Sequence, residues 1–311
     1  MALGLVGTPQ VMVKPVAVGW VMIPVGPGGA VGLAVAVLMG DQADFWSSVS
    51  PLSVRTWYSQ VRPSTERVRE AYDAVRSGVP VYVAALEASE AAVRLYAARL
   101  LAWFPEEEGL LGPTLADLIR REPEPVVAAT ACVAAGLSCP DGSEALVGAL
   151  STRRDSADLV ERWSAVLGLS RMLRRPDRSL VRDLYSCLFW AVEPVPHWPF
   201  LEGDMASLAA LTIADLNPDV AGDRIDVLAE RAAAADPTTD NVTLLRALLD
   251  AAFPEPVPDT AEFDDPTLVQ QRTLATLLGS NILQGGAMVA MLLGRYNLPD
   301  SEPRLRTWCS G

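Results

Sequence analysis

From Ser64 onward, apolar positions recur every three to four residues, between clusters of Pro, Gly and Asp. That spacing is the signature of amphipathic helices. Three segments align without gaps: VRLYAARLLAWF from Val93, VVAATACVAAGL from Val126 and VERWSAVLGLSR from Val160. Their starts lie 33 and 34 residues apart, and each places an alanine (Ala98, Ala131, Ala165) five positions after its valine. A fourth copy starts at Met205 and a weaker fifth at Val242, while a helix over 268–279 keeps the amphipathic pattern without the register. Second helices are predicted between them, over 109–122, 143–150 and 219–234, with prolines and Asx residues at the boundaries rather than in the middles. No stretch sustains period-2 alternation, so no strand is expected.

A period of this length describes helix pairs that cannot bury their apolar faces alone. Stacking gives them a shared core, so the expected fold is all-α, an α-solenoid of antiparallel helix pairs. The alanines at the repeated position would let neighbouring helices approach closely. The chain divides into residues 1–60, an apolar Gly/Pro/Val-rich segment and linker, and residues 61–311, the helical array. The array carries a proline-rich insertion near 192–204 and an acidic loop over 253–266.

The quoted segments SEAAVRLYAARLL, EPEPVVAATACVAAGL and SADLVERWSAVLGL resemble the HEAT-repeat family, in its bacterial PBS-lyase-like variety. The fit is best over 78–252. The arginine usual after the valine is present as Arg94, with Val127 and Glu161 in its place in the next two copies. The resemblance implies a curved helical surface and a scaffold or adaptor role. It leaves function open, since solenoids host many activities. Some HEAT-like solenoids are DNA glycosylases, which keeps a second reading: an enzyme or nucleic-acid-acting protein using the concave groove. The iron-binding enzymes with this repeat use His-Glu pairs on successive helices. A chain with a single histidine and no His-Glu dipeptide cannot supply them.

Composition narrows the partner. The net charge of −13 opposes binding to nucleic acid or anionic membrane, which needs a positive field. Lys14 is the sole lysine, a bias that fits a GC-rich genome and removes Schiff-base and P-loop chemistry. The four cysteines (Cys132, Cys139, Cys187, Cys309) form no CxxC, so no structural zinc site or other cofactor is implied, and a reducing cytoplasm fits. Residues 1–40 carry one charge and are cut by Pro24, Gly26, Pro27, Gly28 and Gly29. Three readings stay open there: an irregular packed segment or an extension from a start codon placed too far upstream, a signal peptide, or membrane insertion. Stable insertion is not expected.

Two stretches hold candidate sites. VPHWPFLEGD (195–204) contains the only histidine, His197, with Glu202 and Asp204 nearby. These could do acid–base work, or Asp204 could cap the helix starting at Met205 while Trp198 and Phe200 fill the joint left by the insertion. Between 153 and 182 lie eight arginines, opposed by five acids out to Asp183. This is a solvated helix-end face or a ridge for an acidic protein partner. The binding residues expected are Arg171, Arg174, Arg175, Arg178, Arg182, Trp198 and Phe200. No residue is expected to be catalytic on stronger grounds than His197, Glu202 and Asp204, and an enzymatic role is disfavoured. The partner's identity and the oligomeric state are not encoded in any motif.

Overall fold

The computed structural model describes residues 10–13, 21–24, 73, 75–173, 175–190, 194–234, 242–258, 267–284 and 286–309. Among these, helices dominate. The exception is a two-stranded antiparallel ladder, β1 (Gln10–Val13) with β2 (Val21–Pro24), in which Val11 faces Ile23 and Met12 faces Met22. The sequence reading expected no strand. Four-residue strands are too short to show alternation, and their Val and Ile content is what favours extended backbone. The rest of 1–60 lies outside the described residues.

Among the described residues thirteen α-helices follow, in two compact units. The first contains the helices up to Leu173 together with His197–Pro199. It holds α1 (Val79–Ala85), α2 (Ala91–Leu101), α3 (Glu108–Arg121), α4 (Pro125–Ser138), α5 (Glu144–Arg154) and α6 (Leu159–Met172). Sequence neighbours pack as pairs, α1 on α2, α3 on α4 and α5 on α6. Alternate helices also pack side by side, α2 with α4 and α4 with α6 in one row, α3 with α5 in the other. The second unit holds α7 (Arg178–Trp190), α8 (Met205–Ala214), α9 (Arg224–Ala233), α10 (Val242–Ala252), α11 (Leu268–Gly279), α12 (Gly286–Arg295) and α13 (Glu302–Trp308). The alternation recurs: α8 packs with α10 and α10 with α12, while α7 packs with α9, α9 with α11 and α11 with α13.

The helix ends follow from local chemistry. Ser143 caps α5 by accepting from Leu146 N, and Asp158 caps α6 by accepting from Val160 N and Glu161 N. Thr267 and Gln270 form a reciprocal capping box at α11, whose bounds match the sequence expectation. Pro113 departs from the rule that prolines sit at ends, since it lies inside α3. It falls in the second turn, where the carbonyl left without its i+4 N–H is that of exposed Gly109. Helix α9 begins at Arg224, later than the predicted 219, because Asn217 folds the chain back through bonds to Asp219 N and Val220 N.

The core of the first unit is built on small residues. Ala98, Ala131 and Ala165, the repeated positions, are fully buried. Helix α4 is buried from Val127 to Ser138. Its backbone meets α6 at glycines: a Cβ on Gly168 would stand 2.3 Å from the Cys132 carbonyl oxygen, and one on Gly136 would stand 2.6 Å from Gly168 Cα. Only hydrogen at these two positions allows this approach.

Charged residues close the helix ends. Arg94, at the start of α2, grips Glu122 just after α3 with two bonds, Nε to Oε2 at 2.8 Å and Nη2 to Oε1 at 2.7 Å. Its Nη1 donates to the Ala88 and Ser89 carbonyls. Arg153, at the end of α5, donates to the Ile119 and Glu122 carbonyls at the α3 terminus and to Glu161 Oε1 at 2.7 Å. Ser156 Oγ donates to the other Glu161 oxygen. Glu161 occupies the repeat position of Arg94, so the pairing recurs with reversed polarity: arginine on α2 with acid after α3, then acid on α6 with arginine on α5. Burial raises the Glu122 carboxyl, but the Arg94 guanidinium and the Glu124 N–H more than reverse this, leaving its pKa below the ordinary value.

No helix among the described residues is long and apolar enough to cross a membrane.

Candidate functional site

The stretch 194–204 is a loop closed on itself. Val195 N donates to the Gly203 carbonyl at 2.9 Å, and the chain between them turns through three left-handed residues, His197 (φ 63), Leu201 (φ 45) and Gly203 (φ 93). Glycine at 203 is required twice over. Its φ disfavours a side chain, and a Cβ would stand 2.6 Å from the Val195 carbonyl oxygen. Trp198 is 2% exposed and Phe200 5% exposed. Both are interior residues, where each Å² of apolar surface taken out of water stabilises the fold by about 25 cal/mol.

The acid–base candidates of the same loop stand in different surroundings. Asp204 caps α8, with Oδ1 accepting from Ser207 N at 2.9 Å and Oδ2 accepting from the Ser207 hydroxyl. Both oxygens are engaged within the helix end. His197 is exposed at its left-handed corner. The Glu202 side chain lies outside the described residues. Among the described residues, no group of three or more His, Cys, Asp and Glu side chains could hold a metal ion. His197 sits with its backbone in the left-handed region of a turn. Replacing it by glycine, which enters that region without a Cβ penalty, is expected to leave stability unchanged or raise it by about 1 kcal/mol in urea unfolding.

Three of the four cysteines are sequestered. Cys132, Cys139 and Cys187 are free and buried. Burial pushes the Cys139 thiol up to about 11 and raises Cys132 and Cys187 as well, so all three remain protonated and unreactive near neutrality.

The ridge arginines divide by their surroundings. Arg153 and Arg162 are spent internally, Arg153 as described and Arg162 through two bonds to the Ser156 carbonyl. Arg171 is half-buried in the first unit, and Arg174 lies outside the described residues. Arg175, Arg178 and Arg182 belong to the second unit and are exposed.

Helix α7 is cleanly two-faced. Leu180, Val181, Leu184, Cys187 and Leu188 are buried, while Arg178, Arg182, Tyr185 and Phe189 follow at i, i+4, i+7 and i+11 along the opposite stripe. Phe189 is 40% exposed, and Trp190 beside it is 42% exposed. Asp177 accepts from Leu180 N at 2.8 Å at the helix start. Tyr185 Oη donates to Asp223 Oδ1 at 2.7 Å, fixing the middle of the stripe against the start of α9. Arg175, Arg178 and Arg182 make no ion pair among the described residues. Phe189 and Trp190 were not among the sequence candidates. The signal was present as the i+11 spacing of Phe189 from Arg178, but it reads as surface only once the buried face of α7 is known.

The acidic loop is also partly redefined. Phe253 and Val257 are buried, and Val257 N donates to the Tyr296 carbonyl while Asn297 Nδ2 donates to the Val257 carbonyl. The start of the acidic loop 253–266 is thus fastened to the end of α12; residues 259–266 lie outside the described residues.

No family model matches the chain, and neither a curated protein nor a solved structure matches it.

Proposed function

We propose that the chain is a non-enzymatic, HEAT-like α-solenoid of the cytoplasm that presents a helical surface to a protein partner. The alternate-helix packing within each unit supports the architecture. The four free cysteines support a reducing compartment. The observation that carries the interaction reading is the exposed stripe of α7, where two arginines and a phenylalanine share one line in a chain of net charge −13. Exposed aromatics beside arginines have the composition of binding hot spots. The loop at 194–204 supports structure in this reading, because its aromatics are interior and Asp204 caps a helix.

Quantitative affinity capture from native cells tests it, comparing wild type with Arg178→Glu/Arg182→Glu at about 50 and about 300 mM salt. The partner is expected to be retained by wild type at low salt, weakened at high salt and lost from the charge-reversed chain. The variant's stability should stay within about 0.5 kcal/mol of wild type, since both side chains are exposed. His197→Gly should leave capture unchanged. Absence of any partner sensitive to both salt and charge reversal would contradict the reading.

A further inference from the structure

The stripe on α7 also constrains the shape of what binds it, and this inference rests on the interaction reading above. We infer that the partner contributes an acidic amphipathic helix, lying along α7 with carboxylates over Arg178 and Arg182 and an apolar side chain over Phe189. The argument is one of spacing. With a rise of 1.5 Å per residue, Arg182 lies about 6 Å from Arg178 along the axis, and Phe189 about 10 Å beyond Arg182.

An extended segment advances about 3.3 Å per residue and alternates faces. Two carboxylates on one face would match the first interval at i and i+2. The second interval then falls about three residues further on, an odd number that turns the apolar side chain to the far face. A helix running alongside meets all three positions on one face at i, i+4 and i+11, and a further apolar residue at i+7 covers Tyr185. The charge of the partner follows from the charged residues of α7 on this line, Arg178 and Arg182, with Asp177 at the helix start and Asp223 against Tyr185 lying to the side of it. Helix-on-helix recognition of this kind reads anchors at helical spacing.

The probe is a fluorescein-labelled, helix-favouring 16-residue peptide with Glu at positions 3 and 7 and Leu at 10 and 14. It is run beside its reversed-order version, since the partner could run either way along α7. A third peptide of the same Glu and Leu content carries prolines that forbid a helix, and a 20-nucleotide single strand serves as the polyanion arm. Anisotropy on the full chain is expected to give at least tenfold tighter binding for one of the two helical peptides than for the proline-containing one. Arg178→Glu/Arg182→Glu should weaken it at least tenfold. Phe189→Ala should weaken it several-fold while leaving the salt dependence of binding unchanged.

Equal binding of helical and non-helical peptides, insensitivity to these variants, or tighter binding of the oligonucleotide would overturn the inference. If the peptides fail while charge reversal still abolishes cellular capture, the helical-partner inference falls and the interaction reading stands. If capture is also indifferent to charge reversal, both fall.

Discussion

Replacing Arg94 by methionine is expected to cost about 3–5 kcal/mol, because it leaves the Glu122 carboxylate buried without its cation. Glu122 is 3% exposed, and Arg94 supplies two of its hydrogen bonds. The double variant Arg94→Met/Glu122→Met should recover most of the loss, since two apolar side chains carry no unpaired charge. Acid distinguishes this from a simple packing defect. The folded-state pKa of Glu122 is lowered, so its contribution is present in full above the unfolded value of about 4.5 and is lost as pH falls through the folded value. In Arg94→Met the buried carboxyl instead favours the protonated form. The gap between variant and wild type should therefore be widest near pH 7 and narrow towards pH 4 in urea unfolding. A gap independent of pH would contradict this account of the pair.

Gly168→Ala is the second large effect, and its sign is informative. Alanine ordinarily stabilises a helix interior by up to about 1 kcal/mol over glycine. At Gly168 the added carbon meets the Cys132 carbonyl at 2.3 Å, which forces α4 and α6 apart along a contact made of backbone. A net loss of about 2 kcal/mol or more is expected, because overpacking against an atom that cannot rotate away outweighs propensity. Gly148, exposed in α5 with no atom within 4 Å of its Cβ position, is the control: Gly148→Ala should be neutral or stabilising. Equal effects at the two sites in thermal unfolding would mean that α4 and α6 do not approach as described.

The helices were legible because their punctuation is local. Thr267, Ser143 and Asp158 announce their helix starts through bonds spanning two or three residues, and the buried alanines recur at a fixed interval. What was hidden depends on contacts a repeat length apart. Arg153 looked like one more ridge arginine, yet it closes the α3 terminus 31 and 34 residues earlier and pairs with Glu161. The acid at position 161, where the first copy has Arg94, was the available clue, since a buried acid there requires a cation elsewhere. Trp198 and Phe200 could not be placed from sequence alone, because an aromatic between prolines suits either a surface or an interior. The burial of both and the Asp204 cap on α8 give the loop a structural part, and α7 is the surface proposed for the partner.

Hydrogen–deuterium exchange of the full chain, with and without the partner recovered by affinity capture, tests that conclusion most directly. Added protection concentrated in residues 178–190, and absent from the same experiment on Arg178→Glu/Arg182→Glu, is the predicted result. Protection centred on 194–204 with α7 unchanged would contradict it.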